Sequence, residues 1–182
     1  MTNQEQFIEI LKTVKRDGMD KLIDYLLKST FFIDPASASF HSNYAGGLCQ
    51  HSLNVYNRLK SLTGEDTDTI KIVGLLHDVC KIGTYEQYYK NTKENDNWVK
   101  TVAYKHKKTT LPYGHGEKSV YMLSHFIKLT QEESLAIRWH MGAYEPKELY
   151  AELGEAQEMY PLVILVNTAD LLATKIDEKV EC

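Results

Sequence analysis

The spacing of apolar residues along the chain predicts a mostly helical protein. Apolar positions recur at the period of an amphipathic helix in several segments. Gly18 is expected to end the first helix, because glycine favours the position just after a helix. The segments predicted as helices lie at about residues 7–14, 22–27, 48–62, 69–78, 117–129, 131–140 and 161–176.

Residues that favour helix starts support three of these boundaries. Residues 66–68, Asp-Thr-Asp, are good capping residues before the fourth helix. Thr130 and Glu133 have the spacing of a capping box. Pro161 suits the first position of the last helix, where its missing N–H costs no hydrogen bond.

Two segments depart from the helical period. Residues 29–47 contain a proline, several small residues and a Gly-Gly pair, so this stretch is predicted as a structured loop. At about residues 84–105, aromatic and β-branched residues flank a polar, Asn-rich turn, which is typical of a β-hairpin. The fold predicted from these patterns is an all-α bundle with one inserted β-hairpin.

Length and charge limit the classes of protein. A chain of 182 residues with 43% hydrophobic residues is expected to form one domain, residues 1–182, with a substantial core. The net charge of −4 gives no broad electrostatic attraction to nucleic acid. A local basic patch is still compatible with this balance.

Cysteine content and hydropathy predict a cytoplasmic protein. The three cysteines, Cys49, Cys80 and Cys182, are odd in number and form no C-x-x-C pair, which fits a reducing compartment. The N-terminal segment lacks the apolar core of a signal peptide. The longest apolar run, YPLVILV, is too short to cross a bilayer, so no membrane partner is expected.

The stretch VGLLHDVCKIG, residues 73–83, contains the first candidate chemistry. His77 follows Val73 by four residues and therefore lies on the same apolar helix face. A buried imidazole and carboxylate are costly unless each finds a hydrogen bond, an opposite charge or a metal. Imidazole and carboxylate ligands together suit Mn, Fe, Co, Ni or Zn. Asp78 points elsewhere on an ideal helix, so other helices must help, and His51 and Asp170 are the natural helpers.

The order of these residues resembles the HD superfamily of metal-dependent phosphohydrolases. The resemblance covers about residues 40–176 and is carried by GGLCQHSLNVY, LLHDVCKIG, YGHGEKSVYML, IRWHMGAY and NTADLLA. Its fold is the HD-domain helical bundle. The two further histidines, His115 and His140, match members that hold two metals, and the arrangement is also similar to the HD portion of bacterial 3′–5′ exoribonucleases. One departure is Cys80, which stands where many members have glycine.

The resemblance implies roles for individual residues. One or two divalent ions are expected, of Mn, Fe, Co, Ni, Zn or Mg. The ligands implied for the first ion are His51, His77, Asp78 and Asp170. His115 and His140 would bind the second ion, with Asp78 bridging the two.

The implied catalytic residues are Asp78 and Lys81, and Lys81 is expected to contact a phosphate oxygen one helical turn from His77. Lys81 therefore also belongs to the predicted substrate-binding residues. The others in that set are His41, Tyr44, Lys118 and Arg138.

Some of these residues have simpler interpretations. Asn167, Asp170, Thr174 and Asp177 recur at helical spacing, which also describes a solvent-facing stripe. Taken by itself, His51 would be interpreted as a residue on the polar face of its helix. His106 and His125 are assigned to the surface. The aromatic residues of the hairpin, Tyr85, Tyr88, Tyr89 and Trp98, are expected to serve hairpin packing, with base stacking as the alternative.

Three functions are compatible with the sequence. The first is a metal-dependent phosphohydrolase that cleaves a phosphomonoester or phosphodiester of a nucleotide-type substrate. The second is a 3′–5′ exonuclease on single-stranded nucleic acid, which would depend on local contacts such as the hairpin lysines because the chain has no basic excess. The third is a metal- or nucleotide-binding module without turnover. The sequence does not assign an oligomeric state.

Overall fold

The computed structural model describes residues 1–94, 97–109 and 111–179 as a bundle of α-helices with one β-hairpin. The helices are α1 (Asn3–Lys12), α2 (Met19–Lys28), α3 (Gly47–Thr63), α4 (Asp68–Leu76), α5 (His115–Ser124), α6 (Gln131–Trp139), α7 (Tyr150–Met159) and α8 (Pro161–Leu172). The hairpin strands are β1 (Tyr85–Glu94) and β2 (Asn97–His106). This architecture confirms the predicted fold class.

The helix α3 organises the core because it contacts α1, α4 and α8. Its buried apolar side chains include Leu48, Leu53, Val55 and Leu59, as predicted. Gly74 of α4 lies so close to α3 that a Cβ there would come within 2.7 Å of the Tyr56 Cα atom. The helix α6 contacts both α5 and α8, so the elements that carry the candidate ligands are packed against one another.

The predicted helix starts are present. The Thr67 hydroxyl accepts a hydrogen bond from the Ile70 N–H group at the start of α4. Thr130 and Glu133 form both bonds of a capping box. Pro161 is the first residue of α8, which continues beyond Leu172 as a π-helical turn over Ala173–Asp177.

The structure differs from the predicted helices at α1, α5 and α7. Helix α1 ends at Lys12, and Gly18 instead precedes α2 with φ +85°, where a Cβ would meet the Phe126 carbonyl oxygen at 1.9 Å. Helix α5 begins at His115 and ends at Ser124, so it starts and ends earlier than predicted. Helix α7 was not predicted, because few of its residues are buried and it has no continuous apolar stripe.

The hairpin projects from the bundle. Its strands pair antiparallel from Tyr85–His106 at the base to Glu94–Asn97 at the far end. Only Tyr85 of its aromatic residues is buried, whereas Tyr89 and Trp98 are 67% and 72% exposed. The interpretation of these aromatic residues as hairpin packing therefore holds for Tyr85 and is wrong for Tyr89 and Trp98, and Tyr88 is 39% exposed.

Within the described ranges, no single helix is long and apolar enough to cross a membrane. The segments Lys147–Met159 and Pro161–Asp177 reach the required length and composition only as a pair, and they meet at a bend of 108°.

One buried ion pair ties the start of the chain to α6. The Arg16 guanidinium donates two hydrogen bonds to the Glu133 carboxylate, both of 2.9 Å, and the Thr69 hydroxyl donates a third. The Glu133 side chain is fully buried. Burial raises the pKa of Glu133, but the hydrogen bonds from Arg16 and the Thr130 backbone outweigh it and lower the pKa below its ordinary value of 4.5.

We expect Glu133→Gln to lower the free energy of unfolding by about 2 kcal/mol at pH 7, because Arg16 would lose its charged partner. The lowered pKa means that Glu133 contributes this stability above pH 4.5 and loses it as the pH falls further. Urea unfolding at pH 7 and at pH 3 measures both effects. The control is Glu132→Gln on the same helix turn, and an equal loss in both variants would contradict the assignment.

Candidate metal centre

The candidate centre forms where α4 ends. His77 is the C-terminal capping residue of α4, and the next residue, Asp78, leaves the helical conformation with φ −107° and ψ 17°. A 3₁₀ turn over Val79–Lys81 follows. Because the helix stops between them, the side chains of His77 and Asp78 turn toward one point rather than about 100° apart.

The Asp78 carboxylate lies at the middle of the centre and is buried. Its Oδ2 atom is 3.4 Å from the Nε2 atom of His51 and 3.5 Å from that of His77. The Lys81 Nζ atom lies 2.6 Å from the same oxygen. Asp170 of α8 is adjacent, since its Oδ1 atom is 3.3 Å from His51 Nε2.

The other carboxylate oxygen of Asp78 faces a second pair of histidines. The Nε2 atom of His115, the first residue of α5, is 2.7 Å from Asp78 Oδ1. The Nε2 atom of His140, which follows α6, is 3.5 Å from the same oxygen. Each oxygen of one buried carboxylate therefore has its own pair of imidazoles.

In three of the histidines, a hydrogen bond made by Nδ1 determines which ring nitrogen carries the proton. Nδ1 of His77 lies 3.0 Å from the Gly74 carbonyl oxygen, and Nδ1 of His140 lies 2.7 Å from that of Ile137. A carbonyl oxygen only accepts, so each Nδ1 donates and the Nε2 atom of the neutral ring carries a lone pair. His51 Nδ1 likewise donates to a carboxylate, as described below.

This donor set fits a metal ion. The Nε2 atoms of His51 and His77 face each other at 3.4 Å, and both face carboxylate oxygens. Lone pairs that converge on carboxylates repel unless a proton or a metal ion lies between them. The buried Nε2 atom of His140 has no hydrogen-bond partner among the described residues. Three residue groups at the centre have ligand atoms close enough for an ion: His51–His77–Asp78, His77–His140–Asp170 and Asp78–His115–His140.

Comparison with known families agrees with this geometry. The HD domain family matches residues 48–175, which is well over half of the chain. The chain belongs to the HD-domain family. Comparisons with curated proteins and with solved structures gave no significant match.

Family membership confirms the predicted superfamily of metal-dependent phosphohydrolases. HD domains bind divalent metal ions, and the buried histidine–aspartate cluster of this HD domain is a suitable place for one. The likeness to 3′–5′ exoribonucleases stays a prediction, as do the roles of individual residues.

Charge is balanced around the central acid of the HD domain. Burial raises the pKa of Asp78, but the Lys81 ammonium and the neighbouring histidines outweigh it and hold this pKa well below its ordinary range. Burial lowers the pKa of Lys81, but the Asp78 carboxylate outweighs it and raises this pKa above its ordinary value. The two side chains are therefore both charged at neutral pH.

Glu178 is a residue next to the candidate centre that the sequence analysis missed. It lies beyond the matched residues 48–175 and has a buried side chain whose Oε1 atom accepts a 3.0 Å hydrogen bond from His51 Nδ1. It also accepts hydrogen bonds from the Ser42 hydroxyl and the Asn54 amide. Burial raises the pKa of Glu178, but these hydrogen bonds, led by that of His51, lower it to about 2. Its position in a charged stretch after the last helix gave no signal in the sequence.

The apparent solvent stripe on α8 and the turn after it makes contacts within the protein, and of its four residues only Asp177 is exposed. The Asn167 amide donates a hydrogen bond to the His140 carbonyl oxygen, and the Thr174 hydroxyl donates one to Asp170. Asp177 forms an ion pair with Arg58 of α3. The polar spacing on this helix thus reflects contacts with α3 and with the loop after α6.

Two predicted substrate residues lie in the loop before α3. The His41 ring is half-buried with its centroid 4.9 Å from that of His51, and its Nε2 atom has no hydrogen-bond partner among the described residues. Burial lowers the pKa of His41 to about 4, so the ring is neutral at pH 7. Tyr44 is exposed and borders a cavity of about 380 Å³ that Glu178 and Asn54 also line.

The remaining predicted residues lie around α5. Lys118 is half-buried, one turn after His115. The Arg138 guanidinium forms ion pairs with Glu117 at 2.5 Å and Glu145 at 2.9 Å, so two carboxylates already neutralise it. Their predicted roles in substrate binding stay predictions.

The unusual Cys80 is buried against the centre. Its Sγ atom is 3.5 Å from His115 Nε2, and its N–H group donates a hydrogen bond to the Ser119 hydroxyl. Burial raises the pKa of the Cys80 thiol to about 12, so the sulfur is protonated at neutral pH. His106 and His125 are exposed, as predicted.

We expect Glu178→Gln to weaken the binding of Mn²⁺ about tenfold, because an amide is a poorer acceptor than a carboxylate for the outer N–H group of His51. Calorimetric titration of metal-free protein with Mn²⁺ measures the dissociation constant directly. The matched control is Glu158→Gln, an exposed site on α7. Equal affinity in wild type and Glu178→Gln would show that this hydrogen bond does not tune the ligand.

Proposed function

We propose that this HD domain is a metal-dependent phosphohydrolase that cleaves a phosphomonoester or phosphodiester of a nucleotide-type substrate. The observation that carries the proposal is the division of the Asp78 carboxylate between two pairs of histidines. Such a carboxylate is suited to hold two cations side by side, which is the requirement of two-metal phosphoryl chemistry.

Each residue has a separate task in this proposal. His51, His77 and Asp170 would hold one ion, His115 and His140 the other, and Asp78 both. Bound divalent ions polarise a phosphoryl group and lower the pKa of water toward neutrality. The backbone carbonyl groups behind His77 and His140 hold both rings in the tautomer that a metal ligand needs.

The exposed side of the centre indicates where substrate would approach. His51, His77 and His140 are buried, whereas His115 and Asp170 are partly exposed. Lys81 contacts Asp78 and keeps its positive charge, so its ammonium group can contact a phosphoryl oxygen bound at the centre. The neutral His41 ring lies next to that of His51. It can therefore donate a hydrogen bond to a bound substrate or accept one from it.

The candidate place for the nucleoside part of the substrate is the cavity next to Glu178, which is lined by none of the proposed metal ligands. Its volume of about 380 Å³ lies within the range of small-molecule sites. The exposed Tyr44 ring offers an aromatic face, and Asn43 and Asn54 offer amide groups. These are groups that stack on and hydrogen-bond to a nucleobase.

We expect Asp78→Asn to reduce hydrolysis at least about 100-fold, because the amide cannot hold two cations. The assay uses Mn²⁺-loaded protein with bis-p-nitrophenyl phosphate and with a panel of nucleoside phosphates. Asp24→Asn, on the exposed face of α2, is the control. Circular dichroism establishes that both variants fold.

If metal-loaded wild type binds nucleotides but turns over no phosphate ester in this panel, the module without turnover replaces the enzyme. If Asp78→Asn keeps the activity of wild type, the reaction does not use this centre.

Metal content provides an independent measurement. After loading with Mn²⁺ under reducing conditions and desalting, elemental analysis is expected to find about two ions per chain in wild type and about one in His140→Ala. His125→Ala is the matched control because His125 is exposed on the surface. A single ion in wild type that His140→Ala retains would overturn the two-metal arrangement.

A further inference from the structure

One face of the hairpin carries most of its large side chains. Side chains alternate between the two faces of a strand, and paired residues of neighbouring strands lie on the same face. The register pairs Tyr89 with Val102 and Lys93 with Trp98. Tyr85, Tyr89 and Trp98 therefore share one face, hereafter the aromatic face, with Tyr104 and Lys100 as further members.

The outer part of the aromatic face is open to solvent. Tyr89 is 67% exposed and Trp98 is 72% exposed, whereas Tyr88 on the opposite face is 39% exposed. No third strand pairs with the hairpin among the described residues. Large aromatic side chains gain little stability for the fold in such a position, so their exposure points to a binding surface.

The charge of the hairpin is opposite to that of the whole chain. Residues 85–108 contain six lysines and three acidic residues, although the chain has a net charge of −4. Lys105 is paired with Glu86 on the face opposite to the aromatic one. Lys100 lies on the aromatic face and is exposed. The surface thus combines aromatic rings with a local positive charge.

The base of the aromatic face adjoins the metal centre. Strand β1 begins at Tyr85, four residues after Lys81. The buried Tyr85 hydroxyl donates a hydrogen bond to the Ala36 carbonyl oxygen in the loop that also carries His41. A strand of ten residues extends about 30 Å from this point. The aromatic face therefore leads from the centre outward.

We propose that the aromatic face binds single-stranded nucleic acid, with bases stacked on Trp98 and Tyr89 and backbone phosphates near Lys100. Every base offers a ring face for stacking, and lysines offset phosphate charge. A second copy of the chain would place two lysine-rich hairpins against each other, which like charges disfavour. The proposal deepens the proposed function, on which it rests, because a strand bound there would lead toward the phosphoryl site.

The test measures binding without turnover. Fluorescence anisotropy of labelled oligouridylate and oligothymidylate of about 12 nucleotides is recorded with full-length protein in EDTA at low salt. We expect Trp98→Ala and Tyr89→Ala each to raise the Kd about tenfold, and Trp98→Phe to stay near wild type. Tyr88→Ala, on the opposite face, is the matched control and is expected to leave the Kd unchanged.

Several outcomes would overturn this proposal. These are no binding of either strand, binding that Trp98→Ala leaves intact, or equal binding of a duplex of the same length. A dimer that Trp98→Ala dissociates, seen by sedimentation together with no strand binding, would assign the surface to a second copy. The oligouridylate and oligothymidylate arms separate RNA from DNA.

Hydrolysis of bis-p-nitrophenyl phosphate distinguishes this proposal from the proposed function. Trp98→Ala is expected to cleave this small substrate as wild type does, because Trp98 lies at the far end of the hairpin. Loss of strand binding with intact hydrolysis supports the aromatic face. Intact hydrolysis with no strand binding in any variant rejects the aromatic face alone.

Discussion

The burial of one carboxylate is the constraint on which the rest of the structure depends. Asp78 is almost fully buried, and a buried anion is tolerated only among compensating charges and donors. Lys81 supplies one positive charge, and four imidazoles turn their Nε2 atoms toward the two oxygens. Bound cations would stabilise this cluster of carboxylate oxygens and imidazole nitrogen atoms. The need for such a cluster explains why polar residues lie within the most apolar part of the bundle.

The bundle serves this centre because each ligand comes from a helix end or a helix face that packs on α3 or α6. His51 lies in the first turns of α3, His77 ends α4, His115 begins α5 and His140 follows α6. Helix termini leave backbone groups free, and the carbonyl groups near the ends of α4 and α6 hold the rings of His77 and His140. The free carbonyl groups at these helix ends therefore orient the side chains of the candidate ligands.

Sequence reasoning predicted most of the helices and the hairpin, because apolar periodicity and capping residues are local signals. The set of residues around Asp78 was instead implied by the resemblance to the HD superfamily. Sequence reasoning was ambiguous at Asp170, since a helix side that faces a polar centre has the same spacing as one that faces water. It missed α7, which buries little, and Glu178, whose importance comes from a contact with His51 far away in the sequence. It also assigned Trp98 to packing, because exposure depends on how far the hairpin projects and no local pattern encodes that.

The π-helical turn after α8 determines the direction in which the Glu178 side chain points. The N–H group of Glu178 bonds to the Ala173 carbonyl oxygen, five residues back, so the turn between them holds one residue more than an α-helical turn. Each residue of a helix advances the side chain by about 100°. Without the additional residue, the Glu178 side chain would be rotated by about 100° from its place behind His51. The winding of a single turn thereby decides which carboxylate lies behind His51, and an insertion or deletion there would act on the metal centre without altering any ligand.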